Sequence, residues 1–143
     1  MILYLDTSSL VKLYIEEEDS DAVCRLVDVA GAAGTSLIAY AEARSAFARK
    51  FREKAVSPAD YKRLISAFHR DWEDYIQVNV THDLVRKAGE LTEKHALRGF
   101  DAIHLASALV LKQALKNPPV FSCFDEKLQH ASKLENLGQP GAK

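Results

Sequence analysis

Short unbroken apolar runs alternate along this chain with longer stretches in which apolar residues recur every three or four positions. The first run, Ile2-Leu3-Tyr4-Leu5, shows no polar alternation and predicts a strand covered on both faces, as in a parallel sheet. Asp6, Thr7 and Ser8 then offer capping side chains to a helix bearing Leu10, Val11 and Leu13. A second helix is expected over residues 19–30, opened by Asp19 or Ser20. Gly31 and Gly34 bracket a turn before a short strand at 35–37. Residues 38–54 form the next helix, with Ala41, Ala48, Phe51, Tyr40 and Phe47 on its apolar face. Ser57-Pro58 opens a helix reaching about residue 75, since proline suits the first helical position.

The second half repeats the alternation. Residues 76–80 read as a strand, and Thr81-His82-Asp83 starts a helix whose apolar face runs through Leu84, Ala88 and Leu91 and which stops near Leu97, with Gly99 as the signal. Residues 101–115 are the most apolar helix; Asn117-Pro118-Pro119 breaks it, 120–124 is a strand, and 125–133 is a last helix. Strands alternating with helices predict a three-layer α/β/α sandwich around a central, mainly parallel sheet. The domain is expected over 1–137, with 138–143 as a frayed tail.

Composition narrows the class. A chain of 143 residues that is 48% hydrophobic and 27% charged suits one globular domain. A formal net charge of −1 excludes a protein that coats nucleic acid through overall charge, though not one with a local basic patch. The two cysteines, Cys24 and Cys123, stand far apart and read as reduced core thiols. The N-terminal apolar run meets Asp6 too soon for a signal peptide, and no stretch is long enough to span a bilayer, so a soluble, cytoplasmic protein is expected.

Candidate chemistry lies in four acids, Asp6, Glu42, Asp101 and Asp125, each set among apolar or small neighbours where a strand or loop enters a helix. A carboxylate in such a setting is expensive unless paired. One acid alone reads as a helix cap or a solvated charge. All four together point to a shared partner, and ligands of parallel sheets gather beyond the carboxyl ends of the strands. Hard divalent cations take oxygen ligands, and Mg²⁺ or Mn²⁺ would support phosphodiester hydrolysis.

Taken in order, Tyr4-Leu5-Asp6-Thr7-Ser8-Ser9-Leu10-Val11-Lys12, Ala41-Glu42-Ala43, Phe100-Asp101-Ala102-Ile103-His104-Leu105-Ala106 and Phe124-Asp125-Glu126-Lys127-Leu128 resemble the PIN-domain family, and most of all its VapC-type toxins. The resemblance spans nearly the whole chain, residue 1 to about 134. It implies a Mg²⁺- or Mn²⁺-dependent endoribonuclease, dimeric and inhibited by a small antitoxin protein, with RNA as substrate. Asp6 and Asp101 match the principal metal ligands, Glu42 and Asp125 the remaining acids, and Thr7 or Ser8 a hydroxyl beside the first acid. The pattern departs at Cys123, where the family often has Thr or Ser, with Ser122 one residue further from the acid.

Other residues admit two readings. His104, one turn beyond Asp101, either approaches the pocket or bonds a backbone carbonyl in the core. His69, His82, His95 and His130 form no metal-ligand spacing. The run Arg44, Arg49, Lys50, Arg52, Lys54 either holds RNA, chiefly through Arg49 and Lys50, or balances its helix dipole. Tyr14, Tyr61, Phe68, Trp72 and Tyr75 either stack bases or pack in the core and against a partner. A non-catalytic module that binds RNA or protein on the same fold is the alternative function. A phosphoacceptor receiver domain is disfavoured, because neither middle strand leads directly into an acid.

Overall fold

The computed structural model describes residues 1–141. Strands β1 (Ile2–Leu5), β2 (Ala32–Ser36), β3 (Ile76–Val78) and β4 (Val120–Ser122) form one sheet of order β3-β2-β1-β4, with every pairing parallel. Helices α1 (Thr7–Lys12) and α2 (Ser20–Val29) join β1 to β2; α3 (Ala39–Arg52) and α4 (Pro58–Trp72) join β2 to β3. Helices α5 (His82–His95) and α6 (Gly99–Ala114) then carry the chain back across the sheet to β4, and α7 (Glu126–Leu134) follows. The order of strands therefore reverses between β1 and β4, and a crevice opens beyond their carboxyl ends.

Side chains of β1 alternate between the faces, as a pleated strand requires. Tyr4 enters one core with Phe121 and the apolar faces of α5, α6 and α7. Leu3 and Leu5 enter the other with α1, α2, α3 and α4. This is the expected three-layer sandwich. The second core is richly aromatic: Phe68 is fully buried, with ring centroids 5.3 Å from those of Tyr14 and Phe47 and 5.4 Å from Tyr40. Tyr61, Trp72 and Tyr75 pack beside it, so the core reading holds for these rings.

Several local expectations need correction. Gly34 lies inside β2, paired with Tyr4 and Ile76, rather than in a turn before it. A Cβ there would stand 3.2 Å from both the Ile76 carbonyl oxygen and Leu111 Cδ1, so glycine lets α6 press onto the sheet. Gly99 opens α6 instead of stopping α5; the left-handed residue at the end of α5 is Ala96, at φ 54°. The buried face of α3 is Ala39, Ala43 and Phe47, while Ala41 and Phe51 are exposed. Cys24 is exposed rather than a core thiol, because α2 turns Ser20 and Val23 inward instead; Cys123 is buried. The tail is not frayed at its start, since the Gly138 carbonyl accepts from Phe121 N (2.9 Å) and Gly138 N donates to the Pro119 carbonyl (2.9 Å). Residues 142–143 of that tail lie outside the described residues. Among the described residues no helix is long and apolar enough to cross a membrane.

Candidate active site

Two of the acids are placed by capping. Asp6 is the N-cap of α1: its Oδ1 accepts from Ser9 N (2.9 Å) and from Ser8 Oγ (2.8 Å). Asp125 caps α7 through Oδ2, which accepts from Leu128 N at 2.9 Å. Because β1 and β4 are adjacent and parallel, these caps emerge side by side at the reversal of strand order. Asp101 stands in the first turn of α6, where its Oδ2 accepts from Arg98 Nε (3.2 Å). Glu42 stands in the first turn of α3, and its Oε1 accepts from Thr7 Oγ1 (2.5 Å) and His104 Nε2 (3.0 Å).

Each acid thus turns one oxygen toward the protein. Asp6 Oδ2, Glu42 Oε2, Asp101 Oδ1 and Asp125 Oδ1 accept no hydrogen bond from the described residues, and none of the four is sealed from solvent. All four acids line one cleft of about 370 Å³ with Thr7, Ser8, Arg98, His104 and Phe124. Among the described residues no three carboxylate or imidazole groups close tightly enough to enclose an ion by themselves. An all-oxygen set of this openness fits a hard cation that keeps several waters, and fits poorly a zinc ion seeking nitrogen or sulfur.

Electrostatics distinguish the acids. Burial pushes the Asp6 carboxyl up from its ordinary value, against the pull of His104 and the bonds from Ser9 and Ser8. Burial also works to raise Glu42, but hydrogen bonds from His104 and Thr7 outweigh it and hold that carboxyl below the usual range. Burial, reinforced by Asp6, pushes the Cys123 thiol up, so it offers no thiolate beside the cleft. Its sulfur lies 3.8 Å from the Asp125 carbonyl oxygen, whereas the Ser122 hydroxyl pairs with Ser9 Oγ at 2.9 Å.

His104 does not bond a backbone carbonyl. Its Nδ1 meets Tyr4 Oη at 2.8 Å and its Nε2 lies 3.0 Å from both Glu42 Oε1 and Thr7 Oγ1. A carboxylate can only accept, so Nε2 bears a proton; in the neutral ring Tyr4 then donates to Nδ1. Tyr4 and Arg98 were not singled out from sequence. Arg98 had a signal, a cation three residues before an acid at a helix start. Tyr4 had only a phenol in a buried strand, which needs a partner somewhere.

The basic run divides. Arg49, Lys50 and Arg52 line a second cleft of about 580 Å³ with Thr7, Ser8 and Glu42, so it adjoins the acids. Arg44 turns away and donates to Tyr40 Oη at 2.9 Å. Replacing Arg49 and Lys50 together by Ala is expected to weaken RNA binding and to reduce the slope of log affinity against log salt by about 1–2, one released counterion per lost phosphate contact. Fluorescence anisotropy across a salt series measures this, and an unchanged slope would leave the two residues a dipole role only.

Residues 3–134 match the family described as PIN domain. The chain belongs to the PIN-domain family. It is 38% identical over 114 residues to ribonuclease VapC45 and ribonuclease VapC49 of Mycobacterium tuberculosis, covering 77% of this chain and 76% of each relative. Among solved structures, this PIN domain is similar in fold to VapC20 of M. tuberculosis, described as a sarcin-ricin loop cleaving toxin, with a TM-score of 0.64 and 20% identity over 92% of this chain and 95% of the other. It is also similar to a chain of a toxin–antitoxin complex from Klebsiella pneumoniae, with a TM-score of 0.57 and 18% identity over 83% and 82% of the two chains.

Proposed function

We propose that this PIN domain is a divalent-metal-dependent endoribonuclease and the toxin of a toxin–antitoxin pair. The reading rests on four carboxylates from four separate chain segments, each with one oxygen left open, around a single cleft at the reversal of strand order. Relatives named as ribonucleases, at 38% identity, support carrying RNA cleavage to this chain. Asp6, Asp101, Asp125 and Glu42 would hold Mg²⁺ or Mn²⁺. When bound, such a cation polarises a phosphoryl oxygen and lowers the pKa of an attacking water.

The chain's own side chains prepare that site. Ser8 and the Ser9 amide fix the rotamer of Asp6, and Thr7 with His104 fixes Glu42, so that the open oxygens keep their directions. Arg98, beside Asp101, and Arg49 with Lys50 on the adjoining wall offset phosphate charge. A small antitoxin could seat an Arg or Lys among the carboxylates, and a second copy of the chain is the remaining proposed partner.

Product ends test the chemistry. A cation held by these acids would supply an activated water as nucleophile in place of the ribose 2′-hydroxyl, so fragments are expected to bear 5′-phosphate and 3′-hydroxyl ends, and EDTA is expected to stop their formation. Mass spectrometry finding mainly 2′,3′-cyclic phosphates, or cleavage that persists in EDTA, would overturn the metal-dependent reading.

A further inference from the structure

Among the described residues Phe100 is the one Phe, Tyr or Trp ring that pairs with no other ring and has no cation over its face. It is also 63% exposed, on the first turn of α6, immediately before Asp101. Phe124, its counterpart before Asp125, is different: it is 39% exposed and Lys12 Nζ lies 4.8 Å from its ring centroid. One exposed ring is ordinary by itself, but this one stands at the edge of a candidate catalytic centre with its face free.

A cleft of about 450 Å³ lies against that ring, lined by Glu42, Arg98, Gly99, Phe100, Asp101 and Ile103. Its volume is within the range of small-ligand sites, about 300–1,000 Å³. Glu42, Arg98 and Asp101 line the acidic cleft as well, so the two spaces share a wall. Apart from its chain neighbours and its own helix backbone, nothing stands within 4 Å of where a Cβ on Gly99 would sit, which leaves the approach open. The Arg98 side chain is 84% exposed and held only by its bond to Asp101. Surface pairs of that kind are weak, so the guanidinium is available to a phosphate.

We propose that this cleft is a nucleobase subsite: an unpaired base of single-stranded RNA, beside the scissile phosphate, stacks on Phe100 while Arg98 meets an adjoining phosphate. The inference rests on the ribonuclease reading and adds the side chain that holds a base beside the scissile bond. An open ring face and a guanidinium lining the same cleft suit a flat heteroaromatic joined to an anion, which is what a nucleotide presents. A base inside a duplex has both faces covered, so only a splayed base, in a single strand or loop, can reach the ring.

Binding of a short single-stranded oligoribonucleotide, followed in EDTA to exclude cleavage, tests the subsite. Phe100→Ala is expected to raise its Kd about tenfold, the scale of one base–aromatic stack. Phe100→Trp is expected to bind at least as well as wild type, and Phe100→Leu to bind like Phe100→Ala although it keeps the apolar bulk. Removing the base at one position of the RNA should weaken wild type by the same factor and have no effect on Phe100→Ala. Equal binding by wild type and Phe100→Ala, from a wild-type chain that cleaves RNA when metal is added, would overturn the subsite and leave the ribonuclease standing. A wild-type chain that neither binds nor cleaves RNA would overturn both. Phe100→Ala that keeps RNA binding but loses a co-expressed antitoxin would mark the ring as a protein-docking contact and overturn the proposal too. Because the side chain is exposed, equal thermal midpoints should verify that each variant is folded.

Discussion

Purified Asp6→Asn and Asp101→Asn chains are expected to lose metal-dependent RNA cleavage while keeping the fold. The loss should exceed the roughly 10–100-fold that follows when only an outer hydrogen-bond partner of a metal ligand is changed. An amide oxygen lacks the charge a hard cation needs, and at Asp101 it also loosens the contact with Arg98. Asparagine caps a helix about as well as aspartate, so the bond from Ser9 N should survive in Asp6→Asn. Near wild-type cleavage by either variant would remove that residue from the proposed ligand set.

The same substitution has a second consequence with a definite sign. Burial raises the Asp6 pKa in the folded chain above its unfolded value. The native state therefore holds this proton more tightly, and the associated stability is present in acid and lost as pH rises through the folded pKa. At neutral pH without metal, burial of this carboxyl works against the native state, and Asp6→Asn is expected to unfold at a higher temperature than wild type. The gain should shrink as pH falls toward the ordinary carboxylate range. A lower midpoint for the variant at neutral pH would mean that the cap, not the buried charge, governs the site.

Phe68→Ala is expected to cost about 3–5 kcal/mol, the usual range for emptying a fully buried aromatic site. Single domains are stable by roughly 5–15 kcal/mol, so this is a large part of the whole. Phe68 sits on α4 and meets Phe47 of α3 edge-on at 5.3 Å and Tyr14, just beyond α1, at the same distance. Those contacts hold α3 against the end of α1, and with it Glu42 against Thr7. Urea denaturation measures the loss; a change below about 1 kcal/mol would show that the aromatic core closes around the gap.

Which parts were legible in the sequence follows from how local their causes are. Asp6 and Asp125 could be found because a strand, a capping acid and a helix follow one another within a few residues. Glu42 and Asp101 were legible as acids near helix starts, but what fixes Glu42 was not, since Thr7 lies 35 residues away and His104 lies 62. The Tyr4–His104 bond joins residues 100 apart, and nothing near either one announces the other. Gly34 misled for the same reason: a glycine reads as a turn, whereas its cause is the approach of Leu111 from another layer. Phe100 falls just outside the helix expected over 101–115; α6 begins at Gly99 instead, and its first turn carries the ring to the surface.

The pairing of β1 with β4 joins residues 3–5 to residues 120–122. The first and last acids are therefore brought together by segments more than a hundred residues apart. Pairing of β1 with β2 alone leaves Asp125 and the wall that β4 provides out of place. Long-range parallel pairing is also slow to form, because its loop must close before the contacts repay it. The cleft is thus a late product of folding rather than of any local motif: the four carboxylates are present in an incompletely folded chain, but they share one space only once β4 has docked beside β1.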